Sequence, residues 1–162
     1  MATHPKPESQ EGIQLIASNR RAGFDYELTD RFEAGLVLIG SEVKSLRHRN
    51  VHIAEAWATV RNGEAFVEGM RIGALQHAAF GHKEDRVRKL LLHRKEIDRI
   101  GEAIERKGLT VVVTRMYFRG GHAKVELALA KGKSRSDKRE AIKSRDAERE
   151  ARAAMADARR KG

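Results

Sequence analysis

Leu109-Thr110-Val111-Val112-Val113-Thr114-Arg115-Met116-Tyr117-Phe118 is followed, across Arg119-Gly120-Gly121-His122, by Ala123-Lys124-Val125-Glu126-Leu127-Ala128-Leu129-Ala130, and this stretch decides the fold class. The first run is rich in branched and aromatic side chains, and the second sets Ala123, Val125, Leu127 and Leu129 at period two. Paired glycines between two such runs predict an antiparallel hairpin. Upstream, Ala56 to Val60 and Ala65 to Ile72 flank Arg61-Asn62-Gly63-Glu64, and Asn-Gly between apolar runs predicts a second hairpin. Phe24, Tyr26 and Leu28, then Phe32, Ala34, Leu36 and Leu38, predict one long bent strand or a further hairpin. Leu36-Val37-Leu38-Ile39, between Gly35 and Gly40, reads as strand buried on both faces or crossing a barrel corner. Val43 and Leu46 suggest a short amphipathic helix ending at Arg47. Leu90, Ile97, Ile100 and Ile104 predict a helix over Glu84 to Lys107, closed by Gly108. About six strands, a short helix and a longer one make the expected class mainly β with helices, an antiparallel barrel of the oligonucleotide/oligosaccharide-binding type.

The 162 residues carry a net charge of +10 and a pI near 10.2. Residues 131–162 hold twelve Lys/Arg against six Asp/Glu, so +6 of that charge lies in a segment whose large apolar side chains are Ile142 and Met155. Such a segment cannot bury a core; it is expected to be disordered alone and to order on contact with phosphates, where counterion release favours binding. The division that follows is a disordered N-terminus over 1–12, one barrel over 13–130 and a basic tail over 131–162. Cysteine is absent, which removes disulfides, thiolate metal sites and a Cys nucleophile. No leader-like or membrane-spanning apolar stretch occurs, and the tail lacks the Trp/Phe/Leu face of an interfacial helix, so a cytoplasmic protein with no membrane partner is expected. His48 and His52 stand at i, i+4 without a third ligand, and Asp25, Glu27, Asp30 and Glu33 are spaced onto both faces of a strand. No catalytic residues, metal or cofactor are therefore expected.

A basic barrel with a basic tail points to nucleic acid. Asn19 and Arg21, in the loop before Phe24, are placed for direct RNA contact. Tyr26 suits stacking on an unstacked base as well as core packing. Glu33 is either a solvent-facing strand carboxylate or an acceptor for a guanine edge. Lys44 and Arg47 share the polar side of the short helix. Arg86, Arg88 and Lys89 fall in the first turns of the expected long helix, where positive charge opposes the macrodipole and a bound phosphate would explain them. Lys124 alternates away from the apolar set of its strand. In the tail, Lys131, Lys133, Arg135, Lys138 and Arg139 cluster around Ser136 and Asp137.

Six strings in order carry a resemblance. They are Asn19-Arg20-Arg21-Ala22 with Asp25-Tyr26, Phe32-Glu33-Ala34-Gly35, Gly40-Ser41-Glu42-Val43-Lys44-Ser45-Leu46-Arg47, Arg86-Val87-Arg88-Lys89-Leu90-Leu91-Leu92-His93, Ala128-Leu129-Ala130-Lys131-Gly132-Lys133 and Asp137-Lys138-Arg139. Together they resemble the small protein B family, the tmRNA-binding proteins of trans-translation. The resemblance implies a non-enzymatic partner of the tRNA-like part of tmRNA that replaces the missing codon–anticodon interaction on a stalled ribosome. It implies that Glu33 is a main tmRNA contact, and that the tail, through Lys131, Lys133, Arg135 to Arg139, Ile142 and Met155, enters the mRNA path near the decoding region and folds there. Alanyl-tRNA synthetase and elongation factor Tu would be met through tmRNA. The chain has Phe24 and Ser136 where the family often has His, and Glu84 and Val113 where proline is common. The alternative is a general RNA-binding ribosomal or RNA-chaperone barrel, which leaves the ordered strings unexplained.

Overall fold

The computed structural model describes residues 12–74, 82–133 and 135–160. In chain order the elements are β1 (Ile13–Ser18), α1 (Ala22–Asp25), β2 (Tyr26–Leu36), α2 (Gly40–Arg47), β3 (Val51–His52), β4 (Trp57–Arg61), β5 (Glu64–Glu68), β6 (Arg71–Ile72), β7 (Arg88–Leu91), α3 (Arg94–Glu105), β8 (Thr110–Arg119), β9 (His122–Gly132) and α4 (Arg135–Arg160). Both glycine-bearing hairpins form. Asn62 and Gly63 have φ of 52° and 76°, and Gly120 and Gly121 have 57° and 79°, the double left-handed geometry that matches strand twist across a two-residue turn.

β8 and β9 pair along their lengths, and β9 pairs in turn with β2, whose far end meets β7. From β7 the sheet continues through β5 and β4 and returns to β8 at Trp57↔Val112, while β1 covers the outer half of β8. The pairings run as a ring, but its β4–β8 link rests on one residue pair, so the expected closed barrel is here a strongly curved antiparallel sheet. Bulges at Leu28/Arg31 and Val113/Arg115 bend the long strands. Inside lie Phe32, Ala34, Val67, Leu90, Val111, Val113, Met116, Val125 and Leu127, covered by Leu46 of α2 and Ile100 and Ala103 of α3. A small separate cluster of Ala22, Val112 and Ala130, with Tyr26 and Leu28 against it, seats α1.

Several expectations are corrected. Residues 84–93 are not helical: Arg88 and Leu90 are buried while Lys89 and Leu91 are exposed, the period of a strand, and α3 starts only after His93, whose amide donates to Glu96 Oε1 at 3.1 Å. Phe24 belongs to α1 rather than to the strand that begins at Tyr26. Val37 and Ile39 are exposed, because β2 ends at Leu36 and the chain leaves the sheet to enter α2. The run Ala65 to Ile72 is broken at Gly69, with φ of 73°, so β6 leaves the main sheet and pairs with β3. Residues 135–160 are helical, as their Ala, Arg, Lys and Glu content favours, and β9 continues two residues past the expected boundary at Ala130. Four helices are thus described. The expected disordered N-terminus lies, but for Gly12, outside the described residues.

The buried face of α2 is Glu42, Ser45 and Leu46. Glu42 and Arg88 are both 0% exposed, and the Arg88 Nε donates to Glu42 Oε2. Arg88 Nη1 donates to the carbonyls of Met70 at 3.0 Å and Arg86 at 2.8 Å, and Nη2 to that of Glu84 at 3.0 Å. The other Glu42 oxygen accepts from Arg86 and from the Ile39 amide at 3.0 Å. Ion pairs withdrawn from water stabilise only when their remaining bonds are made, and here nearly all are. Burial pulls the Glu42 carboxyl upward, but the Arg86 bond, the Ile39 amide and Arg88 outweigh it and hold the group below the ordinary carboxylate range.

Glu42→Gln is expected to destabilise the protein by about 3–5 kcal/mol at neutral pH in urea unfolding, since Arg88 stays buried without its counter-charge. The folded-state value lies below the unfolded one, so this contribution is present above the ordinary carboxylate range and fades as pH falls through the depressed value. The substituted protein should accordingly lose less stability on acidification than the parent.

Candidate nucleic-acid interface

The register across β2, β9 and β8 sets Glu33 opposite Glu126, and Glu126 opposite Arg115, on the outer face of the sheet; Gly35, Lys124 and Tyr117 form the next row. The Tyr117 hydroxyl donates to Glu33 Oε2, and the Arg119 guanidinium pairs with the same carboxylate at 3.2 Å. Arg115 and Arg119 lie over the Tyr117 ring at 5.5 and 5.7 Å from its centroid. The neighbouring Glu126 takes Arg115 and Arg31, while Thr114 donates to it at 3.0 Å. Burial raises the Glu126 carboxyl, but Arg115, Arg31 and Thr114 prevail and hold it low. Glu126 is thereby held by cations from both strands beside it, and Glu33 by a tyrosine and an arginine of β8, which reach it across β9.

Glu33 and Lys124 open onto a cleft of about 780 Å³ lined also by Lys89, Leu91, His93 and Arg94. Three of the expected RNA contacts, brought from β2, β7 and β9, therefore share one concave surface. Lys89 Nζ is 3.0 Å from Glu64 across the β5–β7 pair, an exposed pair whose loss to a phosphate would cost little.

A second group gathers elsewhere. Asn19, Arg21 and Tyr26 line a hollow of about 480 Å³ together with Glu55, Trp57 and Thr110. The Asn19 amide nitrogen donates to Val113 O at 3.2 Å and Ala54 O at 3.4 Å, so part of its role is to hold the turn after β1 against the sheet. Arg21 Nε pairs with Asp25 at 3.2 Å, and Tyr26 is half-buried. Lys44 and Arg47 are exposed on α2, with Arg47 beside Leu15, Arg49 and Phe118 in a third hollow.

Two expectations for the basic run change. Arg88 has no exposed surface and is committed to Glu42, so the structure removes it from the RNA contacts; Arg86 is partly exposed but spends its guanidinium on Glu42 and the Val37 carbonyl. The apparent misplacement of cations at a helix N-terminus disappears because no helix starts there.

At the tail root, Lys131 is exposed on β9 and Lys133 donates from Nζ to Gly23 O at 3.0 Å, while its amide donates to Asp25 O at 3.1 Å. Lys133 thus serves α1 directly. Beyond it, Arg139, Ile142 and Met155 are exposed on α4, and Arg145 lies 5.7 Å from the centroid of the Phe24 ring. Arg135, Ser136, Asp137 and Lys138 stand in the first turn of α4, their side chains outside the described ones.

Sequence reasoning missed Glu42, Trp57, Tyr117 and Arg119. The stripe Glu42/Ser45/Leu46 at i, i+3, i+4, paired with the alternation Arg88/Leu90, carried the signal for the ion pair. Tyr117 sits on the same alternation as Arg115 and Arg119, which marks it as an outer-face residue of β8.

Comparison with known proteins gives one answer. A family profile described as SmpB protein matches residues 16–157. An SsrA-binding protein of Sorangium cellulosum is 56% identical over 93% of each chain. One from Anaeromyxobacter sp. strain Fw109-5 is 52% identical over 86% of each. A solved structure described as "tmRNA-SmpB: a journey to the center of the bacterial ribosome" is 41% identical with a TM-score of 0.63, covering 78% of this chain and 93% of its own.

Burial first, then the hydrogen bond and charge of Glu33, push the Tyr117 phenol above its ordinary value of 10. In spectrophotometric titration Glu33→Gln is expected to lower that transition while leaving it above the ordinary value, because burial remains. An unmoved transition would mean that the two side chains are not in contact.

Proposed function

The chain belongs to the SmpB protein family, and on that premise we propose that it binds the tRNA-like part of tmRNA and accompanies it to stalled ribosomes for trans-translation. The observation that carries the site assignment is the meeting of Glu33, Lys89 and Lys124 around one cleft. A carboxylate fixed by Tyr117 and Arg119 accepts hydrogen bonds from a base edge, and the two lysines answer the phosphates beside it. Specificity thereby rests on a negative group in a positive surface. Phosphate attraction alone would bind many RNAs, whereas an oriented carboxylate repels backbone and admits only a donor edge.

The body is read as a barrel of the oligonucleotide-binding type, and its work as recognition without catalysis. Asn19, Arg21, Tyr26, Lys44 and Arg47 extend the RNA-facing surface, with Arg86 a peripheral contributor. The tail, from Lys131 through Arg139 to Ile142 and Met155, is assigned to the small-subunit decoding region and mRNA path. An amphipathically weak helix with exposed side chains throughout its described part gains little from the body, so ribosomal RNA supplies what fixes it. Alanyl-tRNA synthetase and elongation factor Tu join through tmRNA. The proposed site of action is the cytoplasm, where stalled ribosomes are met.

The test compares tmRNA with a tRNA at near-physiological salt, for the full chain and for a chain ended after Lys133, which keeps β9 and the α1 anchor intact. Both forms are expected to prefer tmRNA, within about tenfold of each other, roughly 1.4 kcal/mol. Glu33→Gln, which keeps an acceptor for Tyr117, is expected to weaken tmRNA binding about tenfold or more with little change in thermal midpoint. Equal binding of both RNAs, lost with the tail, would instead establish a general RNA-binding barrel.

A further inference from the structure

We propose that the outer edge of β1, with the hollow beside it, docks an extended acidic peptide of a partner protein, an apolar side chain seated in the hollow and carboxylates on Arg49. The surface shares no lining residue with the Glu33 cleft, and the inference does not depend on the RNA reading. β1 pairs with β8 alone, and among the described residues it is the one strand of the seven-stranded sheet joined on a single side. One row of its backbone N–H and C=O groups is therefore left for a further strand. The bulge between Leu15 and Ala17 bends this edge, so a regular stretch remains over Ile13 to Leu15. That suits a short added segment and discourages open-ended stacking.

Beside that stretch lies a hollow of about 470 Å³. Leu15, Ile16, Leu46 and Phe118 give it an apolar floor, and Leu15 is 46% exposed. Arg47 and Arg49, both exposed, give it a basic side, and neither forms an ion pair among the described residues. Arg49 has φ of 57°, a left-handed backbone that glycine or asparagine adopts at lower cost, so backbone geometry does not account for an arginine there. Arg47 borders the RNA-facing surface as well, whereas Arg49 has no part in that assignment. The sign of the charge selects the occupant. A second copy would bring +10 against +10, and the chain's own tail twelve Lys/Arg against six Asp/Glu, so two unspent arginines repel both. RNA would satisfy the arginines and leave the strand edge unpaired. An extended peptide with carboxylates around an apolar residue answers edge, floor and charge together.

Full-length protein is titrated at near-physiological salt with a fluorescein-labelled heptapeptide whose central leucine is flanked by aspartates, read by anisotropy. Two control peptides keep the charge: one has serine for the leucine, and the other has N-methylated backbone amides and cannot pair as a strand. Saturable binding is expected for the first peptide, weakened at least about fivefold in each control. Leu15→Asp, at an exposed position, should lower affinity about tenfold, and Arg49→Glu about as much. Circular dichroism and thermal melting check that both variants fold. The Glu33→Gln protein should bind the peptide as the parent does, so failure of the Glu33 cleft leaves this result standing. No saturable binding, equal binding of the three peptides, or unchanged affinity in either variant would overturn the proposal. Oligouridylate binding that falls in parallel on Leu15→Asp would make the face an RNA surface, and dimerisation in sedimentation that this substitution abolishes would make it a self-interface; each result contradicts a peptide site.

Discussion

Everything in the body is hung on one buried charge pair. Arg88 distributes its guanidinium over the Glu42 carboxylate and the carbonyls of Met70, Arg86 and Glu84, joining α2, the approach to β6 and the entry into β7. These segments also meet in the core through Leu46, Met70, Ile72 and Leu90, and the three carbonyls converge on the buried guanidinium. A fork of donors answers them all at once, which a hydrophobic pair of the same volume would not do. Because the pair is worth having only in one geometry, it specifies where β7 begins and how α2 lies on the sheet.

From that position the rest of the proposed RNA-facing surface follows. β7 set in register beside β2 and β5 puts Lys89 and Leu91 outward, opposite the row in which Glu33 and Lys124 emerge. A slip of one residue in β7 would exchange Arg88 with Lys89 and bury the wrong cation, so the core pair also guards the surface. The same logic recurs across β2, β9 and β8, where Arg115 of β8 orients Glu126 of β9 and Arg119 of β8 orients Glu33 of β2. Chain-distant residues are thus made into one rigid charge pattern, while α4 begins beyond Lys133.

Much of this was legible from residues alone, for identifiable reasons. Period-two runs around Gly120-Gly121 and Asn62-Gly63 state both hairpins, because turn chemistry and alternation agree there. The stretch from Arg86 to His93 misled because Leu90, Ile97, Ile100 and Ile104 also fit a helical stripe, and a buried arginine looks like a surface one to any hydropathy pattern. Its meaning depended on Glu42, 46 residues earlier, a relation that no local window contains. Glu33 was singled out by the family strings, yet the side chains that orient it, Tyr117 and Arg119, lie more than 80 residues away and needed the register of three strands. Trp57 gave no periodic signal, since its surroundings come from α1, β2 and the turn at Gly69.

The central claim is that the sheet face, and not the basic tail, reads tmRNA. Hydrogen exchange of the full-length protein with and without tmRNA tests it most directly. Protection on binding is predicted at residues 33–37, 89–93 and 122–126, with amides of α4 exchanging as in the free protein. Protection confined to α4, with those strand segments unchanged, would contradict it.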